Sequence, residues 1–504
     1  MLQLTDVITE PDAVLEYRDE VKESRTPIVI DNGSYQCRAG WASSVRPDMI
    51  FKNAVAKNRA NRKERDWDIQ VGNEIVDIEA VRWMVRSPFE HNVVVNYSVQ
   101  ETLLDYTFKH MGINTDGEVL HPVCLTEATA NPSHCRKNMS ELLFEAYCIP
   151  SVSYGIDCLF SYYQNQDDIS NATALIVSSG FQSTHVLPLV DGQPDTKNAC
   201  RVNLGGYNCC AYLQRILQLK HPQYAGEFTL SRMETIIREL ANVSRNYHDE
   251  LDAWCCSQYS LDHSTTVRFK PRGAVGNSKE ICSLNKHVLD LEQRLKQAEH
   301  RVDEIESIFD LEQDFPEIAA KACADAGCAS MDELKTLVNK MQSQIDDVRS
   351  RLLDEYHTDA GRKPANHSVP IGVEAIQAPE IIFQPSLVGF DQCGLSGAIE
   401  AVLSRYSDQT RAAFSKSVFV TGGNTNVSGF ADRVLYDLRH VCPFQSRISV
   451  TQANDSSLDA WKGAARWALC DSNQSWITRS EFDEQGWDYI KEHSFSNRYA
   501  PSTT

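Results

Sequence analysis

Residues 28–40, IVIDNGSYQCRAG, place three β-branched apolar residues directly before Asp31, Asn32, Gly33 and Ser34. A buried strand ending in a carboxylate, a tight glycine turn and a hydroxyl suits the grip of a phosphate and its metal. The same order recurs further on. TALIVSSG (173–180) runs into Phe181, Gln182, Ser183 and Thr184, and SVFVTGG (417–423) runs into Asn424, Thr425 and Asn426. Ligands of open α/β sheets sit at the carboxyl ends of strands. One such turn also describes an ordinary loop, but the ordered set suggests two similar half-domains facing one cleft.

The elements that must position these turns alternate. Further strand candidates are HPVCLTE (121–127) and HVLPLVDG (185–192), with helical patterns at 98–111, at 138–147 and around Tyr212–Leu219. Strands alternating with helices predict an α/β fold with mixed or parallel sheets. A chain of 504 residues is too long for one simple core, so two or more domains are expected. The net charge of −20 argues against a surface that wraps nucleic acid throughout, but not against local basic patches or a basic partner. The 16 cysteines are scattered without any C-x-x-C pair, which suits reduced, structural thiols. The acidic, proline-interrupted start is unlike a signal peptide, and no apolar run approaches the roughly 20 residues of a membrane span. An intracellular protein is expected.

Residues 271–370 break this rhythm. Ile281, Leu284, Val288, Leu291, Leu295, Ala298, Val302, Ile305 and Phe309 follow a 3,4 spacing, which resumes through Met331, Leu334, Val338, Met341, Ile345, Val348 and Leu352. Two heptad arrays joined by a Pro- and Gly-bearing connection predict an antiparallel coiled-coil hairpin, each arm roughly 40 Å long. Its polar flanks suit an insertion. Residues 1–26 are expected as a polar N-terminal extension, so the body comprises 27–270 and 371–504.

The blocks IVIDNGSYQCRAGW, SPFEHNVVVNYSVQETLLDYTF, PVCLTEATANPSHCRKNMSELLFEAYCIPSV, APEIIFQPSLVG and VFVTGGNTNVSGFADRV resemble the actin family, in order, over 27 to about 270 and 371 to about 498. SSGFQSTHVLPLVDG and RVNLGGYNCCAYLQRILQLKHP, with the large insertion, resemble more closely the nuclear actin-related proteins of INO-eighty-type chromatin remodellers. The resemblance implies the actin-like fold, two α/β lobes around a nucleotide cleft as in Hsp70 and hexokinase. It implies ATP or ADP with Mg in that cleft. Asp31 then lies on the metal side, Gly33 and Ser34 in the first phosphate loop, Gly180, Thr184 and His185 in the second. Gly206, Gly422 and Gly423 fall at the nucleoside end.

Departures from actin accompany these matches. Tyr35 replaces a glycine and narrows the first loop, and Arg38 replaces a lysine. Ser178-Ser179-Gly180-Phe181-Gln182 stands where actin has Asp-Ser-Gly-Asp-Gly, so two carboxylates are lost. Asp157 replaces the glutamine that helps orient attacking water; as a carboxylate it could approach the metal beside Asp31. Asn426 and Ser457 replace a Met and a Lys of the adenosine pocket. A non-catalytic subunit is therefore expected, with a slow actin-type ATPase, a sugar-kinase-like phosphotransferase or a filament former as alternatives. Implied partners are the motor ATPase, a RuvB-like AAA+ ring, a small Ies-six-type subunit and the nucleosome. The basic run KNRANRKERDWD (57–68) is a candidate contact for DNA phosphate or an acidic histone surface. Trp476, Trp487 and Tyr489 are expected in the core.

Overall fold

The computed structural model describes residues 2–58, 68–113, 118–166, 169–269, 367–470 and 475–499, with helical residues 336, 338–340, 342–345 and 347. The chain divides into two compact units, Met1–Val267 with Val369–Thr504, and Arg268–Ser368.

In the first unit, one sheet has the strand order Ile477–Thr478, Ser151–Ile156, Val123–Glu127, Ile28–Asn32, Gln36–Trp41 and Met49–Lys52. Its three central strands are parallel, and 28–32 turns back antiparallel into 36–41. Ile28, Val29 and Ile30 are fully buried, as expected for a strand covered on both faces. A second sheet repeats the plan. Ala174–Ser179 turns back antiparallel into Thr184–Val190, and Val418–Thr421 and Val450–Gln452 follow in parallel on its other side. Two lobes with the same strand logic thus present corresponding hairpin turns, 32–36 and 179–184. The α/β expectation holds, and the fold is actin-like.

The lobes meet where helices Asp157–Gln164 and Asp459–Ala468 cross. Phe160 and Trp461 are fully buried in a core shared by Val29 and Ile156 of one sheet and Ile176 and Phe419 of the other. A methyl group on Gly463 would lie 1.9 Å from the Phe160 carbonyl oxygen, so only glycine lets these helices approach so closely. The Trp461 indole N–H donates to the Val29 carbonyl at 3.1 Å, tying the crossing to the strand that carries Asp31. Near the end of the chain, the Asn497 amide donates to Glu127 at 2.8 Å, and Glu127 also pairs with buried Arg136.

Several boundaries differ from those expected. The predicted 138–147 helix is α-helical over Ser133–Glu141 and widens to a π-helix over Leu142–Ala146. The helix starts early because Pro132 stands at its N-cap, a proline signal that the apolar pattern did not weigh. The helix near Tyr212 spans Gly206–Lys220.

The N-terminal residues 2–26 dock along the body. Leu2–Leu4 joins a three-stranded sheet with Thr265–Phe269 and His367–Ile371. Asp6 accepts from Thr229 at 2.7 Å, Thr9 donates to the Ile75 carbonyl at 2.7 Å, and Asp12 accepts from the Tyr106 hydroxyl at 2.7 Å. Tyr17 stacks on Trp41 and bonds His121 at 2.6 Å. The segment is a strap from the second lobe to the first.

Trp476 and Tyr489 pack against the two cores as expected, but Trp487 is 48% exposed beneath the Lys137 ammonium. Its indole covers an aliphatic stem and a charge, which burial-based reasoning from sequence does not separate from core packing. Among the described residues the cysteines are free thiols, and no helix is long and apolar enough to cross a membrane. Most of the coiled-coil prediction and residues 59–67 of the basic run lie outside the described residues. Val338 and Ile345, two predicted seam positions, are helical and less exposed than their described neighbours.

Candidate functional site

A cavity of ≈ 420 Å³ lies between the lobes, within the usual range for small-molecule sites. Asp31, Gly33, Ser34, Arg38, Asp157, Gly180, Gly206, Gly422 and Gly423 all line it. His185, Ser178, Asn426 and Ser457 line it too. Thr184 does not. It is a fully buried strand residue whose hydroxyl donates to the Leu204 carbonyl at 2.9 Å and pairs with Ser179, holding the second turn from behind.

The local backbone explains why these residues converge. Gly180 N–H donates to the Ser183 carbonyl at 2.9 Å, closing the second turn. The first helical donors of 206–220 then point at that turn: Gly206 N–H meets the Gly180 carbonyl and Tyr207 N–H the Phe181 carbonyl, at 3.0 and 2.8 Å. Gly422 has φ +98°, and a Cβ there would lie 2.4 Å from the Ser179 carbonyl oxygen, so the third turn requires glycine.

Charges in the cavity are already partnered. Asp31 accepts from Arg38 at 2.9 Å and from the Thr126 hydroxyl at 2.8 Å. Asp157 accepts from Cys158 N–H at 2.7 Å; burial first, then the Asp31 charge, pushes its carboxyl up to about 7. Burial, with Arg201 nearby, pushes His185 down to about 3, so its imidazole is neutral. His185 Nε2 and Ser183 Oγ are buried without a hydrogen-bond partner.

Side chains cross the cleft between the turns. The Tyr35 and Phe181 rings lie 4.7 Å apart, and the Tyr35 hydroxyl donates to Glu234 at 2.8 Å. Asn92 N–H donates to the Gln182 side chain at 2.5 Å. Nearer the rim, Glu79 accepts from the Ser231 N–H and hydroxyl at 3.0 and 2.6 Å. Glu234 and Arg238, both lining the cavity, escaped sequence reasoning. Their i,i+4 spacing on helix Leu230–Leu240 looks like any solvated ion pair.

The ATP and magnesium implied by the actin resemblance do not fit this lining. Arg38, on the strand after the first turn, pairs with Asp31, so each already offsets the charge the other would offer to phosphate or metal. The second turn adds a buried hydroxyl and an uncharged imidazole, and no cation of its own. Aromatic rings occupy the space between the two turns. The orphaned Ser183 and His185 atoms fit water or an uncharged polar group instead.

Comparison with known proteins agrees with this architecture. The actin family profile matches residues 22–495. Actin-related protein 5 of Homo sapiens is 37% identical, covering 94% of this chain and 90% of the relative. The Gallus gallus protein of that name is 35% identical over 97% and 92%, and the Drosophila melanogaster one 28% over 94% and 99%. The chain belongs to the actin family, within its actin-related protein 5 group.

Proposed function

We propose that this protein is a non-catalytic subunit of a nuclear, INO-eighty-type ATP-dependent chromatin-remodelling complex. Its partners are the motor ATPase, a RuvB-like AAA+ ring, a small Ies-six-type subunit and the nucleosome, both histones and DNA. It helps the complex hold the nucleosome and couple hydrolysis in the motor to sliding, with consequences for transcription regulation, DNA repair and recombination. The observation that carries this is likeness to actin-related protein 5 along 94% of the chain, in a protein that keeps the actin body. Support for the non-catalytic part comes from the cleft, where Asp31 and Arg38 neutralise each other and Asp157 replaces a water-orienting amide. The site residues named above then line the cleft, with Asp31 held by Arg38 and Thr126 and Asp157 by the Cys158 N–H.

The test is affinity purification of the tagged protein from nuclear extract, with co-purifying proteins identified by mass spectrometry. Stoichiometric recovery of the motor and the RuvB-like ring is expected. Recovery alone, or with cytoskeletal factors, would overturn the assignment and return the slow ATPase and filament alternatives.

A further inference from the structure

Three of the positions that depart from actin share a property. Tyr35, Phe181 and Gln182 stand in place of a glycine, an aspartate and a glycine, and each now touches the opposite lobe. Tyr35 leaves the first turn to meet Phe181 of the second and Glu234 of helix 230–240. Phe181 is backed edge-to-face by Tyr207, 5.7 Å away, at the start of helix 206–220. Gln182 caps the backbone of Asn92 in the first-lobe hairpin Phe89–Glu90/Val93–Val94, and Arg201 reaches the neighbouring His91 carbonyl. The Glu79–Ser231 contacts add a second row nearer the rim.

We infer that these side chains form an internal latch that holds the two lobes together without a bound polyphosphate and excludes a magnesium triphosphate from between the turns. The physical case rests on space and charge. The two rings, tilted by 44° with centroids 4.7 Å apart, are in van der Waals contact, so a phosphate group cannot pass between them without displacing one ring. Three carboxyl groups line the cavity (Asp31, Asp157, Glu234) against two guanidiniums, Arg38 and Arg238, so the lining carries no net positive charge to draw in a polyanion. In a ligand-closed cleft, cross-lobe cohesion is supplied by the ligand and lost with it. Here one aromatic pair, a phenol–carboxylate bond and an amide-to-backbone bond supply it permanently. The inference concerns the isolated chain and does not depend on the remodeller assignment.

The experiment uses the full chain and the variants Tyr35→Phe and Tyr35→Gly, with amide hydrogen exchange and thermal melting, with and without about 1 mM Mg-ATP. In the unliganded wild type, residues 31–38 and 178–185 should be protected, and Mg-ATP should change neither their exchange nor the melting temperature. Tyr35→Gly, which loses ring and hydroxyl, should speed exchange at both turns about tenfold or more; Tyr35→Phe, which loses only the Glu234 bond, about two- to fivefold. Should Tyr35→Gly fail to fold, Tyr35→Phe carries the exchange test alone. Saturable slowing of exchange by Mg-ATP in the wild type would overturn the latch, as would exchange at 178–185 that ignores both substitutions.

Discussion

Asp157 faces Asp31 across the floor of the cleft and holds its proton well above the ordinary carboxylate range. The sign of its linkage follows. Below its ordinary value of 3.8 the group is protonated folded or unfolded, and it contributes nothing to pH dependence. Between about 4 and 7 the folded protein binds the proton that the unfolded chain has released, so stability falls as pH rises. Above that window the loss is constant. Asp157→Asn should therefore melt a few degrees higher than wild type at pH 8, with the difference shrinking to nothing near pH 4. A pH-independent difference in scanning calorimetry would show that the carboxyl does not titrate this way. At this scale the sequence was informative about position and poor about partnership. Asp31, Gly33 and Ser34 are legible because a strand, a turn and a hydroxyl adjoin in the chain. The Asp31–Arg38 pair follows from the register of the hairpin 28–32/36–41, but the Tyr35–Glu234 bond joins residues 199 positions apart, and no local pattern announces it.

Elements were legible where one periodicity dominates. The central strands and the helices 97–110 and 206–220 carry long apolar signals, so their existence was clear and their ends shifted by one to several residues. The N-terminal segment failed that test because its anchors are isolated: Leu4 is fully buried, yet Asp6, Thr9, Asp12 and Tyr17 each hold a different neighbour. Polar residues that dock one at a time leave no period to read. The strap spans both lobes, so its removal should be felt by both. Deleting residues 1–17 should lower the melting temperature by several degrees and raise exchange in Gly72–Glu74 and Leu230–Leu240, which it contacts. Unchanged exchange in those elements would mean that the strap lies on a body that holds itself together.

At the scale of the molecule, the two-lobe plan was readable from three turns in order, since sheets built alike must place their turns alike. The closure of the cleft was not, because it depends on which side chains meet after folding. The insertion was visible as a change of period, and its roots are neighbouring strands of one sheet, Thr265–Phe269 and His367–Ile371. Replacing residues 271–366 by a short Gly/Ser linker should leave the melting of the actin-like body within about 2 °C of wild type, because both roots are neighbouring strands of one sheet and a shorter loop costs less closure entropy. A drop of 10 °C or more in differential scanning fluorimetry would show that the body relies on the insertion.

Those paired roots also bear on how this lineage has been free to change. A segment whose two ends are already fastened side by side is a closed ring as far as the rest of the chain is concerned. Doubling its length raises the closure entropy by only about 0.6 kcal/mol. Natural variation can therefore lengthen, shorten or rewrite the inserted hundred residues while selection on the body continues undisturbed. The junction between strands 265–269 and 367–371 is the place where such growth would cost least.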